Sequence, residues 1–295
     1  MKRFSVVLLL SSFVFSAFSQ ESAQEGRDNG YDTLSTKAIH MSDIMWKKQI
    51  WRYIDLREEQ NRPLMSKNRE FPKSIIEAAK EGVIQPYATD SLDRPLELSL
   101  FLKAMEIPSE EVQYSEEELA FLANEEGGGD DDWSDDEEGE GGEDEVEAPV
   151  ANAVEYFFPS QLYSIQIKEK LIFDKQRSVM YYDIIAITLV VPPDHPDNIK
   201  GIELPIASFS YKELKDKVFS NNPDAIWFNP YNDAEHRNLA DAFELRLFSS
   251  YIAKVSNPDD EYLVDIYGGD PYTGILASEW KAFELLEFEH NLWEF

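Results

Sequence analysis

Residues 125–147 form an acidic, glycine-rich run that limits how this chain can fold. The run reads EEGGGDDDWSDDEEGEGGEDEVE and is almost free of apolar side chains. Like charges repel one another and glycine loses the most backbone entropy on folding, so a segment of this composition does not form a packed structure. We therefore predict an acidic disordered insertion or linker over residues 124–150, with one part of the chain on each side of it.

The carboxylates of this run also suggest a calcium loop, but the EF-hand spacing is not met. Counting from Asp130 places Asp135 where the turn glycine is required, and counting from Asp132 places Glu137 there. A solvated acidic run that attracts divalent ions weakly is the preferred interpretation. We predict no metal site.

The charge of the chain excludes some classes of partner. The formal net charge is −31, and residues 106–147 contain no Lys or Arg. Proteins that bind nucleic acid need concentrated Lys and Arg to displace counterions, and docking on anionic lipid needs the same residues. We therefore expect no nucleic-acid partner and no docking on lipid by charge.

The N-terminus has the pattern of a secretory signal peptide. Lys2 and Arg3 precede an apolar run over residues 6–18, and Ala17 and Ser19 are small residues at the positions that determine cleavage. We predict a signal peptide over residues 1–19 and an exported protein. No later stretch has the roughly 18 apolar residues of a spanning helix, so we expect no direct membrane insertion. The chain has no cysteine, which excludes disulfides and a lipid-modified cysteine.

The part before the acidic run is predicted to be mainly helical. Residues 20–40 are polar and aperiodic and predict a flexible arm, followed by a helical N-terminal part over residues 41–123. Ser42 is a candidate N-cap for its first helix, in which Trp46, Ile50 and Ile54 share one face and Trp51 lies outside that stripe. The two tryptophans are either core residues, which we favour, or part of a contact surface.

Further helices in this part are indicated by local signals. A proline at position 72 and a glycine at position 82 bound one short helix, residues 96–105 predict another, and Ser115 begins a capping box before a third.

The part after the acidic run, residues 151–295, is predicted to be α+β. Alternation over residues 163–168 and the β-branched, aromatic run over 179–191 predict a β-hairpin that turns at residues 173–178. Residues 202–209 and 262–267 predict further strands, a helix follows Ser210, and Ser278 is a candidate N-cap of the last helix. We predict a small antiparallel sheet packed by helices.

The stretch at 227–257 predicts one long helix, over residues 232–257, with two apolar sides. Asn232 is a candidate N-cap and Asn257 precedes a proline that ends the helix. Apolar residues repeat every fourth position from Leu239 to Tyr251, while Leu245, Phe248 and Ile252 fall on the other side. The second side is covered either by the chain's own domain, which we favour, or by a neighbouring protein.

These observations define a set of candidate interaction residues. The set includes Trp293 because the aromatic C-terminus EFEHNLWEF is expected to dock on the core or on a partner. The candidates are Trp46, Trp51, Leu245, Phe248, Ile252 and Trp293.

Catalytic and cofactor motifs are lacking in the sequence. It has no G-x-S-x-G, no phosphate-binding G-x-x-x-x-G-K-[ST], no H-E-x-x-H and no cysteine nucleophile. The four histidines lie far apart and are interpreted as surface or capping residues. We predict no catalytic, cofactor-binding or metal-binding residues. Carboxylate pairs are too abundant to be informative, so an exported hydrolase or solute-binding protein with a carboxylate-lined cleft stays as the alternative.

Four stretches, in the same order along the chain, resemble the GldN/PorN family of gliding-motility and type IX secretion proteins. They are DIMWKKQIWRYIDLREEQNRPL at 43–64, QIKEKLIFDKQRS at 166–178, the stretch at 228–257 that includes FELRLFSSYI, and EHNLWEF at 289–295. The acidic insertion departs from the family pattern.

The resemblance implies a non-enzymatic periplasmic component of the type IX secretion and gliding machinery. It implies that the protein assembles with a GldK/PorK-like outer-membrane lipoprotein and with other copies of itself into a ring. It also implies contact with the periplasmic part of a GldM/PorM-like motor protein, and association with the outer membrane through a partner.

Overall fold

The computed structural model describes residues 27–28, 30–107, 155–198, 200–220 and 222–292. The expected signal peptide, the helix expected after Ser115, the acidic run and Trp293 lie outside these residues.

A five-stranded antiparallel sheet forms the centre of the fold. Its strands, in spatial order, are β11 (Tyr251–Val255), β3 (Ile44–Asp55), β6 (Ser164–Asp174), β7 (Val179–Val191) and β8 (Leu204–Ser210). β3 precedes the acidic run in sequence, whereas both of its neighbours follow it. The two parts of the chain therefore share one sheet.

The other strands in the described ranges have two residues each and form three separate pairs. The strand pairs are β1 (Arg27–Asp28) with β2 (Tyr31–Asp32), β4 (Met65–Ser66) with β5 (Arg69–Glu70), and β9 (Ile226–Trp227) with β10 (Arg237–Asn238). The α-helices are α1 (Phe71–Lys80), α2 (Leu98–Ala104), α3 (Tyr211–Glu213), α4 (Leu239–Glu244), α5 (Leu263–Ile266) and α6 (Pro271–Leu292). A π-helical turn, Leu214–Phe219, continues α3, and 3-10 turns occupy Met41–Asp43, Glu59–Leu64, Pro159–Gln161 and Asp233–Glu235.

The larger hydrophobic core lies between one face of the sheet and helices α1 to α4. Phe243 of α4 packs against neighbouring rings, with centroids 5.0 Å from Phe71 and 5.4 Å from Phe248. Ile165 and Ile187 of the sheet are fully buried in the same cluster. Removing this apolar surface from water is the main stabilising contribution to the fold.

A second hydrophobic cluster lies between α6 and the β11 side of the sheet. It contains Ile50 of β3, Ile252 of β11 and Leu285 of α6, all buried. Trp46 extends the cluster, with its ring centroid 4.6 Å from that of Phe288. The last helix is thus packed on the sheet along one side.

A buried carboxylate separates the two clusters. Glu169 of β6 follows Ile167 of the first cluster and precedes Leu171 of the second on the same face, and its side chain is 0% exposed. It accepts hydrogen bonds from the guanidinium of Arg52 and, at 2.8 Å, from that of Arg246. Charged groups are tolerated in a core when they are paired in this way.

The opposite face of the sheet is polar and is covered by loops. Trp51 lies between two lysines, with the Nζ of Lys168 5.4 Å and the Nζ of Lys254 4.7 Å from the ring. Its Nε1 donates a 2.5 Å hydrogen bond to Asp90, which lies in the loop after α1. These contacts place Trp51 inside the folded chain as a cation–π partner.

Residues 30–40 contact this sheet, which differs from the flexible arm expected for residues 20–40. The carboxylate of Asp32 pairs with Lys170 at 2.5 Å, and the backbone and hydroxyl of Thr36 donate to Asp183. Lys37 forms an ion pair with Glu244. These interactions attach the segment to β6, β7 and α4. Its polar sequence gave no reason to expect them.

Asp183 makes part of the stability of the fold dependent on pH. Burial raises the pKa of this carboxyl above its ordinary value, although hydrogen bonds from Ser35 and Thr36 oppose the shift. The folded chain therefore binds more protons than the unfolded chain between the two pKa values, so this contribution to stability falls as pH rises through that window.

Replacing Asp183 with asparagine should remove this dependence. We expect Asp183→Asn to gain stability relative to the wild type as pH rises from about 4, near the ordinary pKa of aspartate, towards 7. Denaturant unfolding across this pH range measures the difference. Asp259→Asn, at an exposed carboxylate, is the control, and an equal pH response in both variants would contradict the assignment.

The α+β class expected from the sequence is confirmed. The hairpin of β6 and β7, the following strand β8, helices α1 and α2, and the helix after Ser210 all lie where the sequence predicts them.

The helix predicted after Ser42 is wrong. It is the main element of the helical part predicted for residues 41–123. Ile44–Asp55 is strand β3, inside the sheet. Trp46, Ile50 and Ile54 lie on one face both of a helix, where residues four apart align, and of a strand, where every second residue aligns. Their spacing therefore does not distinguish a helix from a strand. Arg52, which completes the alternation, is polar because it pairs with the buried Glu169.

The predicted long helix over residues 232–257 is also wrong. Asn232 does act as a cap, accepting from the backbone N–H of Ala234 at 3.1 Å, but it caps only the 3-10 turn Asp233–Glu235. The helix α4 ends by Leu245, and Arg246 has a left-handed φ of 54°. That turn directs the Arg246 side chain to Glu169 and reverses the chain into β11.

Two further predictions near the C-terminus are wrong. Residues 262–267 contain helix α5 instead of a strand. Ser278 lies inside α6, which begins at Pro271, so it is not an N-cap.

Candidate interaction surface

The turn between α5 and α6 sets the direction of the last helix. Gly268 and Gly269 have φ values of +106° and +77°, a region that glycine adopts without strain. The N–H of Gly269 donates to the carbonyl of Val264 at 2.7 Å, and Asp270 accepts from the N–H of Thr273 at 3.3 Å. These bonds satisfy the end of α5 and the start of α6.

Close packing then fixes α6 on the chain. A Cβ atom on Gly274 would lie 2.4 Å from Cγ2 of Val264, so the two helices approach at a distance that only glycine permits. Ser278 is 4% exposed and accepts a 2.7 Å hydrogen bond from the backbone N–H of Ile252. The helix therefore covers part of the outer edge of β11.

Replacing Ser278 with alanine should leave the N–H of Ile252 without its partner. We expect a loss of about 1–3 kcal/mol in the free energy of unfolding, the usual cost of an unsatisfied buried donor. Urea unfolding measures it. Ser160→Ala, at an exposed serine, should change stability by less than about 0.5 kcal/mol, and equal effects of the two variants would contradict this role.

The outward side of α6 is apolar over four turns. Trp280 and Phe283 are each 69% exposed and Leu286 is 61% exposed. On a helix of 3.6 residues per turn these side chains lie on one face, opposite the buried Ala277 and Leu285. The outer face consists of Tyr272, Ile275, Leu276, Trp280, Phe283 and Leu286, all exposed. We call it the α6 outer face.

Its exposed area is large for the surface of one folded chain. An aromatic side chain presents roughly 150–250 Å² in full, so three that are about two-thirds exposed contribute on the order of 400 Å². The largest apolar patch on a typical monomer is about 300–600 Å² and is often functional. The aliphatic residues of the α6 outer face add to this value, which makes it the strongest candidate surface.

A second apolar surface lies in the loop after β9. Trp227, Phe228, Pro230 and Tyr231 line a groove of about 610 Å³ together with residues of the 3-10 turn Glu59–Leu64. Tyr231 is 92% exposed. This groove is formed by the start of the stretch at 227–257.

A third feature is a groove rich in carboxylates beside the outer edge of β11. It has a volume of about 700 Å³, and Asp55, Glu58, Glu203 and Glu279 are among its lining residues. Tyr53 donates to Glu203, and burial followed by the nearby Glu203 charge raises the pKa of the Tyr53 hydroxyl well above its usual value. The hydroxyl therefore stays protonated at neutral pH.

The candidate interaction residues named from the sequence differ in their exposure to solvent. Trp51, Phe248 and Ile252 are buried in the chain's own packing, and Trp46 packs on Phe288. Leu245 is 55% exposed. Only Leu245 among the described candidates is thus strongly exposed, and its interaction role stays a prediction.

The burial of Phe248 determines what a charge at this position does. On the uncovered side of one long helix, Phe248→Asp would leave a folded monomer that no longer assembles. Because Phe248 is only 7% exposed and packs on Phe243, an aspartate there places a charge in the core, and we expect the fold itself to be lost.

Sequence reasoning missed half of the α6 outer face. A last helix that begins after Ser278 contains Trp280, Phe283 and Leu286 but leaves out Tyr272, Ile275 and Leu276. The dipeptide Asp270–Pro271 was the available signal, because proline is favoured in the first turn of a helix.

Three of the histidines hold structural positions. His40 caps the 3-10 turn Met41–Asp43 by accepting from the N–H of Ser42, and His236 accepts from the N–H of Asn229. His195 is buried against Phe157 and accepts from the N–H of Asp197 at 3.2 Å, so of the two roles expected from the sequence it has the capping role. None of the helices in the described part of the chain has the length and apolar composition needed to cross a membrane.

The chain matches a known protein family over most of its length. A family model described as "Gliding motility associated protein GldN" matches residues 39–294. The match includes the sheet, the α6 helix and all three surfaces described above. No curated protein matches the chain.

Proposed function

The chain belongs to the GldN family of gliding motility associated proteins, and we propose on that basis that it acts by binding other proteins, without catalysing a reaction. The family is a structural component of gliding motility and type IX secretion. The finer proposal is a periplasmic protein that assembles with a GldK/PorK-like lipoprotein and with other copies of itself into a ring. In this proposal it contacts a GldM/PorM-like motor protein and is held at the outer membrane by its partner.

The observation that carries the proposal is the α6 outer face. A helix that is already packed on the sheet through Leu285 and Phe288 still exposes Trp280 and Phe283 to solvent. Exposed apolar area of this size lowers solubility unless another molecule covers it, and aromatic residues dominate the binding energy of protein interfaces.

Affinity isolation from cross-linked envelope fractions tests the proposal. We expect a tagged wild-type chain to retain the lipoprotein and the motor protein, identified by mass spectrometry. Leu286→Asp should reduce their recovery about tenfold or more, the effect of charging an interface position that carries binding energy. Recovery of neither protein with the wild-type chain would overturn the proposal.

The matched control is Leu100→Asp. Leu100 is also a helical leucine, 52% exposed, but it lies on α2, away from α6. We expect this variant to retain both proteins at the wild-type level. Circular dichroism of both variants establishes that they are folded.

A second candidate function is an exported hydrolase or solute-binding protein, and the carboxylate-lined groove favours it. Asp55, Glu58 and Glu203 meet there beside the ring of Tyr251, which stacks on Tyr53 at 5.8 Å. Carboxylates and tyrosines are the usual ligands of sugars and cationic solutes. A hydrolase screen together with calorimetry tests it, with Glu203→Gln as the variant that should remove any signal.

A further inference from the structure

The charges around the α6 outer face restrict what can bind there. Glu279 and Glu287 lie within the exposed arc of the helix, and Glu289 borders it. In the described part of the chain none of these three carboxylates forms an ion pair, whereas Glu284 on the flank is paired with Lys281 at 2.7 Å. The apolar stripe therefore contains two carboxylates without an ion pair among the described residues and has a third at its edge.

These carboxylates disfavour a second copy of the chain as the occupant. Two α6 outer faces packed together would bring the same carboxylates towards each other, and like charges at an interface cost free energy. The chain's own acidic residues at 125–147 are disfavoured as the occupant of this face for the same reason. An anionic lipid surface is repelled as well.

The shape of the surface indicates a helical partner. The stripe runs from Tyr272 to Leu286, which at 1.5 Å per residue is about 21 Å of helix. Its side chains follow the spacings of three and four residues that form ridges on a helix, and such ridges pack into the grooves of another helix. Phe283 and Leu286 line an open groove of about 900 Å³ with Glu287, Glu289 and His290.

From these observations we propose that the α6 outer face docks an amphipathic helix of a different protein, whose apolar stripe is flanked by Lys or Arg. Phe283, Trp280 and Leu286 contact the apolar stripe, and Glu279, Glu287 and Glu289 pair with the basic flanks. The proposal rests on the protein-binding function above and specifies the chemistry of the partner's contact.

Binding of designed peptides to the purified chain tests it. Three labelled peptides are used: a helix with a Leu stripe flanked by Lys, the same helix flanked by Glu, and a scrambled Lys peptide without a stripe. We expect the Lys-flanked helix to bind about tenfold or more tighter than the other two by fluorescence anisotropy. The preference over the Glu-flanked peptide should shrink between about 50 mM and 500 mM salt, because screening weakens the charged contacts.

Phe283→Asp separates specific binding from general attraction to an acidic protein. It adds a carboxylate, so non-specific binding of a Lys peptide would strengthen, whereas docking on the apolar face should weaken about tenfold or more. Leu100→Asp adds the same charge elsewhere and should not weaken binding. Equal affinity of Phe283→Asp and wild type would overturn the proposal.

Other occupants give different results. If Phe283→Asp dissolves an oligomer of the wild-type chain in sedimentation experiments, a second copy occupies the face and the proposal is wrong. It is also wrong if the wild-type chain binds neutral vesicles through Phe283, or binds the peptide only after deletion of residues 108–154. If peptides fail while the envelope proteins are still recovered with the tagged chain, this inference falls and the proposed function stands.

Discussion

Replacing Phe243 with alanine is expected to lower the free energy of unfolding by about 3–5 kcal/mol, the range for deleting a buried phenylalanine ring. Phe243 is 1% exposed. Its ring lies within 5.0 to 6.3 Å of four other rings, those of Phe71, Tyr211, Phe219 and Phe248. Removing it opens a cavity where α1, α3 and α4 meet, and rings held on several sides have little freedom to fill it.

The matched control for Phe243 lies two residues further along the chain. Leu245 is 55% exposed, and Leu245→Ala should change stability by less than about 0.5 kcal/mol. Urea unfolding followed by fluorescence and by circular dichroism measures both variants. Similar midpoints for the two would contradict the core position of Phe243.

Replacing Glu169 with alanine is expected to cost about 3–5 kcal/mol, because it leaves buried positive charge without its partner. The side chain of Arg52 is 13% exposed and that of Arg246 is 28% exposed. Both guanidinium groups also face the ring of Tyr182, at 5.8 and 4.7 Å. The ring cannot replace the carboxylate, since a cation–π contact is worth only about 0.5–2 kcal/mol.

An exposed ion pair provides the comparison. Asp194 and Arg57 pair at 3.1 Å, and each side chain is more than half exposed. Asp194→Ala should therefore cost less than about 1 kcal/mol. If Glu169→Ala costs no more than this, the buried cluster does not hold the two hydrophobic cores together. Replacing Glu169, Arg52 and Arg246 together by leucine should restore part of the lost stability, because no unpaired charge then remains.

The hairpin of β6 and β7 could be predicted from the sequence because its signals are local. Ile165 and Ile167 alternate with polar residues, and the run at 179–191 is too rich in β-branched residues for a surface helix. The turn between them needs a left-handed residue, which Ser178 supplies with a φ of 52°. Short-range pattern and long-range packing agree in this segment.

β3 could not be predicted because its burial depends on distant residues. Both of its faces are covered, one by hydrophobic packing and the other by the loop that carries Asp90. A strand covered on both sides loses the simple alternation that identifies strands. The left-handed turn at Arg246 could not be predicted either. It is compensated by an ion pair with Glu169, a residue 77 positions away.

The candidate surface was predicted only in part. The aromatic content of the C-terminal segment indicated docking on the core or on a partner, and the structure shows that α6 has an apolar side in each direction. A helical pattern cannot tell which of two apolar sides faces the core. That choice depends on the strand β11, which Ser278 contacts, and on the helix α5, against which Gly274 packs.

The interior position of β3 also determines when this protein can fold. A ribosome or a translocation channel releases the N-terminus first, so β3 emerges long before β6 and β11, the strands on either side of it. Contacts between residues so distant in sequence form slowly. The sheet therefore cannot close before β11 has been released, and the edge of β3 that pairs with β11 stays open to aggregation, or to a chaperone, until then.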